Sequence, residues 1–360
     1  MTTVFISEPI HPHVLDEIAA KADLLLGFGP SAVVYEDVAD KVDAVMLRSE
    51  KFSAARINAS PRLKVIARHG VGVDTVDVEA ATQQGIVVTY CPGGNSNAVA
   101  EHVFAMLLSL SRKINAGHQN LLAGPWPKAK QHLVGEELYG RTIGVVGLGE
   151  IGKIVCRIAK GFGMDVLVSD PFLKAEDVAP QQARLVNLEE LLMRSNVVSL
   201  HAPLTASTKN LIDKRTLAMM QPDAVLVNTA RSGLVNEPAL VAALLNGSIA
   251  GAALDVIDAE QTLQPAAKVD VKTNSGASVN AFQISGAALA VVVPNKATSI
   301  SVKFGGSAIA DVPNLLVTPH VAGQTSQALL GVGTMAWHDI QAVIGGTAPR
   351  YPFNAPANPR

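Results

Sequence analysis

Residues 142–152 read TIGVVGLGEIG, a β-rich apolar run that ends in glycines at positions 147, 149 and 152. The following residues, KIVCRIAKGFG, carry apolar side chains at helical spacing. The pattern predicts a strand, a tight turn and a helix, which is the start of a βαβ unit. Glycines let the backbone approach a ligand closely, and the free N–H groups at a helix N-terminus favour a pyrophosphate.

The next predicted strand supports a dinucleotide site of the Rossmann type. This strand ends in Asp170, eighteen residues after Gly152, where a carboxylate would bind the adenosine ribose diol. Pro171 and Phe172 follow, with no arginine to hold a 2′-phosphate. The sequence therefore predicts NAD rather than NADP as the cofactor.

Short β-rich runs alternate with helical patterns along most of the chain, which is typical of an α/β protein with parallel sheets. The first block predicts five strands and a helix from about residue 13 to 22. A long helix, 98–114, and a Gly/Pro-containing link, 117–127, lead to a second block with six predicted strands. The last helical pattern follows the sixth strand, so we expect it to pack back on the first block.

One segment departs from this alternation. Residues from about 264 to 308 are rich in Val, Ser, Ala and Thr, with partial period-2 alternation. A connection of this length is unusual in a compact domain. Either the segment forms an extra β-hairpin or arm at the surface, or it is poorly ordered; we expect a surface β-hairpin.

The predicted strands of the second block end in glycine or in titratable residues. The residues at these ends are Gly147, Asp170, His201, Arg231, Asp255 and His320. Ligands of open parallel sheets gather at the carboxyl ends of the strands. Each residue alone is also typical of a turn or a helix cap, but six in succession indicate a binding site.

Two of these residues suit the reduction of a 2-oxo acid. The guanidinium of Arg231 can bind a carboxylate with two parallel hydrogen bonds. The imidazole of His320 can give a proton to an alkoxide oxygen and take it back near neutral pH, and Glu260 would orient that imidazole. A structural salt bridge at Arg231 and a hydrogen-bonded core histidine at His320 are the alternatives.

Composition excludes several classes of partner. The net charge of −2 and the lack of any Lys/Arg run argue against nucleic acid and anionic membranes, which leaves a small molecule. The stretch ISGAALAVVVP, 284–294, is too short for a membrane span. Cys91 and Cys156 lack the spacing of a disulfide framework or a cysteine metal site, so we expect a reducing, cytoplasmic setting.

Other motifs are missing from the sequence. It contains neither HExxH nor HxxxH, so no catalytic metal is expected. It contains no GxSxG, which disfavours a hydrolase triad. The first residues, MTTVFISEPIHPHV, lack the basic and apolar regions of a secretion signal.

Seven motifs together resemble the D-isomer-specific 2-hydroxyacid dehydrogenase family. They are RHGVGVDTVDV (68–78), GGNSNAVAEHVFAMLLSLSR (93–112), GLGEIG (147–152), VSLHAPLTAST (198–208), NTARSGLVNE (228–237), AALDVIDAE (252–260) and LLVTPHVAGQT (315–325). The resemblance covers nearly the whole chain except about 264–308. It implies NAD-dependent hydride transfer between nicotinamide and a D-2-hydroxy acid or its 2-oxo acid.

The resemblance also implies a domain arrangement. A Rossmann-type, doubly wound parallel sheet domain, 99–320, is inserted in a smaller, flavodoxin-like α/β substrate domain formed by 1–98 and 321–360. The segment 264–308 is an atypical insertion in the larger domain. The crevice is expected to close on substrate, and a homodimer through the cofactor domains is implied.

The family's functional residues match positions in this sequence. Arg231 would bind the substrate's carboxylate and carbonyl, His320 would be the acid/base and Glu260 would support it, while Asp255 would contact the nicotinamide carboxamide. The residues expected to bind cofactor are Gly147, Gly149, Glu150, Ile151, Gly152, Asp170, His201, Ala202, Pro203, Thr229, Ala230, Asp255, His320 and Gly323. Those expected to bind substrate are Arg48, Val71, Gly72, Asn95 and Arg231.

Arg48 and Arg68 resemble arginines that phosphoglycerate dehydrogenases place near the phosphate of their substrate. The resemblance therefore implies a substrate with a second anionic group, which two cations would suit. His69 differs from the residue expected in a phosphoglycerate enzyme, so hydroxypyruvate or glyoxylate is the alternative substrate. A non-catalytic, NAD(H)-sensing regulator on the same fold is the alternative from another class. Retention of Arg231, Glu260 and His320 favours the enzyme.

Overall fold

The structure is a computed structural model that describes residues 1–258 and 303–360. It divides into two compact units. The first, here the terminal unit, comprises Met1–Ala98 and Gly323–Arg360. The second, here the central unit, runs from Val99 to Ala322. Each contains one parallel sheet with helices between its strands, which confirms the predicted α/β fold class.

The terminal unit is built on a sheet of five parallel strands. The strands are β1 (Thr3–Ile6), β2 (Asp23–Leu26), β3 (Ala44–Leu47), β4 (Val65–Arg68) and β5 (Val87–Thr89), and the helices are α1 (Pro12–Ala19), α2 (Ala54–Asn58), α3 (Val78–Gln83) and α12 (Ser326–Ile344). The strand order is β2-β1-β3-β4-β5, which is the flavodoxin-like order. The helix α12 contacts β3, β4 and β5, as expected for a C-terminal helix that packs on the first block.

The central unit contains a sheet of seven parallel strands. Its strands are β6 (Thr142–Val146), β7 (Asp165–Ser169), β8 (Arg184–Leu185), β9 (Val197–Leu200), β10 (Val225–Asn228), β11 (Gly251–Leu254) and β14 (Leu315–Val317). Its helices are α4 (Ser96–Ser111), which begins just before Val99, α5 (Ile114–Ala123), α6 (Trp126–Ala129), α7 (Glu150–Gly161), α8 (Ala175–Val178), α9 (Leu188–Arg194), α10 (Lys214–Leu217) and α11 (Glu237–Leu245). The order is β14-β11-β10-β9-β6-β7-β8, the doubly wound order with one further strand.

Both faces of this sheet are buried. Val145 and Val227 lie in the hydrophobic cluster on one face, whereas Val146 and Leu226 lie in the cluster on the other. Strands buried on both faces read as continuous apolar runs. For this reason six of the seven strands are recognisable in the sequence, whereas β8, with only two residues, is not.

The region after α4 differs from the prediction. The sequence predicts one helix over 98–114 and a link over 117–127, whereas α4 ends at Ser111 and two further helices, α5 and α6, follow. Lys113 has a φ of 52°, which breaks the helix between α4 and α5. None of the side chains of α5 is buried, so the core-facing periodicity that identifies a helix in a sequence is absent there.

The end of the predicted insertion belongs to the core of the central unit. Most of the segment 264–308 lies outside the described residues, but β12 (Lys303–Phe304) and β13 (Ser307–Ala308) form an antiparallel pair. Phe304 is fully buried in the hydrophobic cluster that also contains residues of α11. Phe304, within the predicted insertion, therefore packs in the core of the central unit.

Glu237 fixes the chain on both sides of residues 259–302. Its carboxylate accepts a hydrogen bond from the backbone N–H of Asp258 at 2.6 Å and another from Gly305 at 3.2 Å. Glu237 is itself buried, and hydrogen bonds to a buried carboxylate are among the stronger ones in proteins. The backbone just before residue 259 and the backbone just after residue 302 are therefore bound by the same side chain, that of Glu237.

Phe304→Ala should lower the free energy of unfolding by about 3–5 kcal/mol, because it leaves a cavity in a packed core. Phe172, which is 92% exposed, provides the matched control, and Phe172→Ala should change the free energy of unfolding by less than about 0.5 kcal/mol. Urea unfolding followed by circular dichroism measures both. Equal effects of the two substitutions would contradict the packing described.

Candidate active site

Six strands of the central unit end in residues that the sequence analysis selected. In spatial order across the sheet, they are His320 after β14, Asp255 after β11, Arg231 after β10, His201 after β9, Gly147 after β6 and Asp170 after β7. Parallel strands place their carboxyl ends at one edge of a sheet, where ligands bind. The sheet therefore gathers these residues along one edge although the sequence spreads them over more than 170 positions.

The turn from Gly147 to Gly152 requires glycine at two positions. Gly147 has a φ of 91°, and a Cβ there would lie 2.9 Å from the backbone of His201 and Ala202. A Cβ on Gly152 would lie 2.3 Å from the carbonyl oxygen of Gly147. The first glycine permits the left-handed turn, and the second permits the start of α7 to approach β6 closely.

Gly149 differs from these two glycines. It is the N-cap residue of α7 with a φ of −72°, and, apart from its two chain neighbours, none of the described residues has an atom within 4 Å of the position that its Cβ would occupy. The space at this helix N-terminus is therefore open, and the helix dipole favours an anion there. Glu150 is exposed and pairs with Lys153 at 3.3 Å, whereas Ile151 packs against the core.

Asp170 lies beside this turn. Its carboxylate accepts a hydrogen bond from the N–H of Leu148 at 3.0 Å and another from the N–H of Phe172 at 3.1 Å. The carboxylate is partly exposed and retains lone pairs for further donors. Its place after β7 and beside the Gly147–Gly152 turn fits the binding of a ribose diol.

The ends of β9 and β10 supply two further groups. The Nε2 of His201 lies 2.8 Å from the hydroxyl of Ser199, and burial lowers the pKa of His201 to about 4, so this imidazole is neutral near neutral pH. Ala202 and Pro203 follow it. The hydroxyl of Thr229 is buried without a hydrogen-bond partner among the described residues. A buried polar atom of this kind is normally satisfied, so Thr229 fits a site that a polar ligand completes.

Asn228 shapes the loop that carries Arg231. The side-chain amide of this buried residue donates to the carbonyl of Arg231 at 2.8 Å, and its side-chain oxygen accepts from the N–H of Ala230 at 3.0 Å. The guanidinium of Arg231 donates to the carbonyl of Ala230 at 2.8 Å. Sequence analysis missed Asn228, because an asparagine at a strand end is typical of many turns.

The carboxylate of Asp255 organises the loop after β14. It is fully buried and accepts from the N–H groups of Val321 at 2.9 Å and Ala322 at 2.8 Å and from the hydroxyl of Thr318 at 2.5 Å. The backbone N–H of His320 donates to the carbonyl of Asp255 at 2.9 Å. Asp255 therefore holds the loop around His320, which is exposed.

His102, on α4, joins the same group of residues and was missed in the sequence. Its Nε2 lies 3.0 Å from the hydroxyl of Thr318 and 3.6 Å from the carboxylate of Asp255. A lone histidine in an apolar helix carries no spacing signal, so sequence analysis could not relate it to residues more than 150 positions away. Glu260, the predicted partner of His320, lies outside the described residues.

The terminal unit holds the other predicted residues. Arg48 is half-buried, donates to the carbonyl of Pro9 at 2.6 Å, and has its pKa lowered by burial. Burial, with the nearby charge of Arg48, lowers the pKa of His69 to about 4, so His69 adds no positive charge near neutral pH. Val71 is exposed and Gly72 is half-buried.

Asn95 and Gly323 lie together in the terminal unit. The side-chain oxygen of Asn95 is buried with no hydrogen-bond partner in the part of the chain that the structure describes. A Cβ on Gly323 would lie 2.6 Å from the side-chain nitrogen of Asn95. Glycine is therefore required at 323 to leave Asn95 in its position.

Within residues 1–258 and 303–360, no group of three or more His, Cys, Asp or Glu side chains is arranged to hold a metal ion. None of the helices in those ranges combines the length and the apolar character that crossing a bilayer requires.

Comparison with known families identifies the chain. The model of the D-isomer specific 2-hydroxyacid dehydrogenase, NAD binding domain, matches residues 104–322, which is more than half of the chain. The chain belongs to this family. The match confirms the resemblance of the sequence motifs to this family. It also confirms that the central unit is an NAD-binding domain.

Individual relatives agree with the family match. A Synechocystis protein named D-3-phosphoglycerate dehydrogenase is 37% identical over 359 residues, covering 99% of this chain and 56% of the relative. The TT0316 protein from Thermus thermophilus has a TM-score of 0.78 at 30% identity, covering 98% of this chain and 100% of that one. D-lactate dehydrogenase with NAD+ from Lactobacillus jensenii has a TM-score of 0.71 at 26% identity, covering 99% and 100%. The chain spans a little more than half the length of the curated relatives it matches.

Gly149→Val should separate cofactor binding from folding. The backbone at 149 accepts a side chain without strain, so the unfolding temperature should stay near that of the wild type. The valine would fill the open space at the start of α7, and the Kd for NADH should rise about tenfold or more. Fluorescence titration with NADH measures the Kd, and Gly152→Ala provides a contrast that should destabilise the fold itself. Unchanged NADH binding by Gly149→Val would exclude the proposed cofactor position.

Proposed function

We propose that the protein is an NAD-dependent D-2-hydroxyacid dehydrogenase. The observation that carries the proposal is the placement of Arg231, Asp255 and His320 after the adjacent strands β10, β11 and β14, at the sheet edge where Gly147–Gly152 begins α7. Family membership supports it. The open space at Gly149 and the buried hydroxyl of Thr229 fit the cofactor.

The reaction divides among three residues of the central unit. When bound, the nicotinamide supplies a hydride to the carbonyl carbon of a 2-oxo acid or accepts one from a 2-hydroxy acid. Arg231 binds the carboxylate and polarises the carbonyl oxygen. His320 gives its proton to that oxygen during reduction and takes it back during oxidation, and Glu260 supports the protonated imidazole.

The terminal unit supplies the remaining substrate contacts in this proposal. The N–H groups around Val71 and Gly72 and the side chain of Asn95 bind the 2-oxo acid, and Arg48 binds a second anionic group. Relatives named D-3-phosphoglycerate dehydrogenase support a 3-phosphoglycerate-like substrate. Hydroxypyruvate or glyoxylate is the alternative substrate, and an NAD(H)-sensing regulator without turnover is the alternative function.

A panel of 2-oxo acids distinguishes these alternatives. NADH oxidation, followed by absorbance, should proceed fastest with 3-phosphohydroxypyruvate when compared with hydroxypyruvate, glyoxylate, sulfopyruvate and pyruvate. His320→Ala should lower kcat by about 10²- to 10⁴-fold, whereas the Kd for NADH should change far less, because the other predicted cofactor-binding residues remain. Tight NADH binding without turnover of any acid would favour the regulator, and near-normal rates in His320→Ala would overturn the acid/base role.

We also propose that the protein forms a homodimer through its central unit. Large apolar side chains are exposed along α5, α6 and the residues after them, among them Leu122 (70% exposed) and Trp126 (72% exposed). Ile114, Leu121 and Val134 in the same region are exposed as well. Exposed apolar patches of this kind mark interfaces, and a second copy of the chain would bury them.

Leu122→Asp combined with Trp126→Ser should convert the dimer to a monomer or raise its Kd at least about tenfold. Val34→Asp provides the matched control, because Val34 is an exposed apolar residue of the terminal unit and should not affect association. Sedimentation velocity over a range of protein concentrations measures the mass. A monomeric wild type, or an unchanged dimer in the double variant, would refute this interface.

A cytoplasmic location is proposed for the same protein. Both cysteines, Cys91 and Cys156, are free and buried. Burial raises the pKa of each thiol to about 12, so neither is poised for disulfide exchange. Free cysteines fit a reducing compartment.

A further inference from the structure

The loop that carries His320 adopts an unfavourable backbone conformation. His320 has a φ of 53°, the left-handed region that residues with a Cβ rarely occupy. Such conformations persist only where the surrounding structure holds them, and they concentrate at active sites. The contacts around His320 therefore determine where its imidazole lies.

Asp255 supplies several of these contacts. Its carbonyl accepts from the N–H of His320, and its carboxylate accepts from the next two backbone N–H groups, those of Val321 and Ala322. The carboxylate also accepts from the hydroxyl of Thr318, two residues before His320. The loop is thus attached to one buried side chain both before and after the histidine.

The hydroxyl of Thr318 connects this loop to α4. A hydroxyl has a single hydrogen to donate, and that of Thr318 is used by the carboxylate of Asp255 at 2.5 Å. The Nε2 of His102, 3.0 Å from the same hydroxyl oxygen, must therefore be the donor. His102 donates to Thr318, and Thr318 donates to Asp255.

We propose that His102 is a positioning residue for His320, because its Nε2–H orients the Thr318 hydroxyl toward Asp255 and so fixes the left-handed turn. The proposal rests on the proposed function only in so far as His320 is the acid/base. The four side chains belong to the central unit, and His102 contacts neither the reacting atoms nor His320 directly. Within the described residues, the route from His102 to the acid/base runs through Thr318 and Asp255.

Two substitutions at 102 separate the hydrogen bond from packing. His102→Gln keeps an N–H donor, whereas His102→Leu keeps a side chain of similar bulk without the donor. In the leucine variant, kcat should fall about 10- to 100-fold, since small misplacements of a catalytic group have effects of this size. The Kd for NADH should stay within about twofold of the wild-type value, because His102 is not among the residues predicted to bind the cofactor. The glutamine variant should restore most of kcat.

A second pair of variants tests the route through Thr318. Thr318→Val should lower kcat about as much as His102→Leu, and the double variant should lower it no further, because both changes remove one interaction. His338→Leu is the control, since His338 is an exposed histidine on α12 outside the site. Multiplicative effects in the double variant, or equal losses of kcat in the leucine and glutamine variants, would overturn the proposal.

Hydrogen exchange decides the same question without turnover. The amides of His320, Val321 and Ala322 should exchange at least about tenfold faster in His102→Leu than in the wild type, and His102→Gln should retain protection. Unchanged exchange in His102→Leu would overturn the positioning role even if the wild type is an active dehydrogenase. An inactive wild type with the expected exchange pattern would refute the proposed function and support the role of His102.

Discussion

The buried carboxylate of Asp255 is the interaction on which the candidate site depends. It lies at the end of β11 and accepts three hydrogen bonds from the loop after the neighbouring strand β14. Sheet pairing brings the two strands side by side, but it does not determine the path of the chain beyond the last paired residue. Asp255 determines that path. A buried N–H without a partner costs about 1–3 kcal/mol, so the loop and the carboxylate must stay together for either to be stable.

Much of this arrangement could be predicted from the sequence, because it depends on local patterns. Six of the seven strands of the central unit are recognisable as apolar runs, and each of these six is followed within three residues by glycine or a titratable residue. In a parallel sheet, all these ends lie at one edge whatever the order of the strands. A reader of the sequence can therefore group Asp170, Arg231, Asp255 and His320 without knowing which strands are neighbours. The turn from Gly147 to Gly152 is predictable for a similar reason, since its constraints act over six residues.

Features that depend on distant contacts were not predictable. His102 and Thr318 are separated by 216 positions, and Glu237 and Gly305 by 68. Helical spacing indicates which face of a helix is buried, but it does not identify the partner. The sequence predicts a link in place of most of α5 for another reason. None of the side chains of this helix is buried, so its sequence lacks the periodicity that packing imposes. Phe304 lies in a segment of few aromatic residues, and only the structure relates it to the core.

The hydrogen bonds of Glu237 to Asp258 and Gly305 affect how the length of the chain between them can change. Because the residues before 259 and after 302 meet at one carboxylate, the span between them does not set the register of β11 against β14. The entropy of closing a loop grows only with the logarithm of its length, so a doubling costs about 0.6 kcal/mol. Beyond Glu260, this junction is therefore a place where evolution can add or remove many residues, and where a foreign domain could be grafted, while His320 keeps its place at the sheet edge.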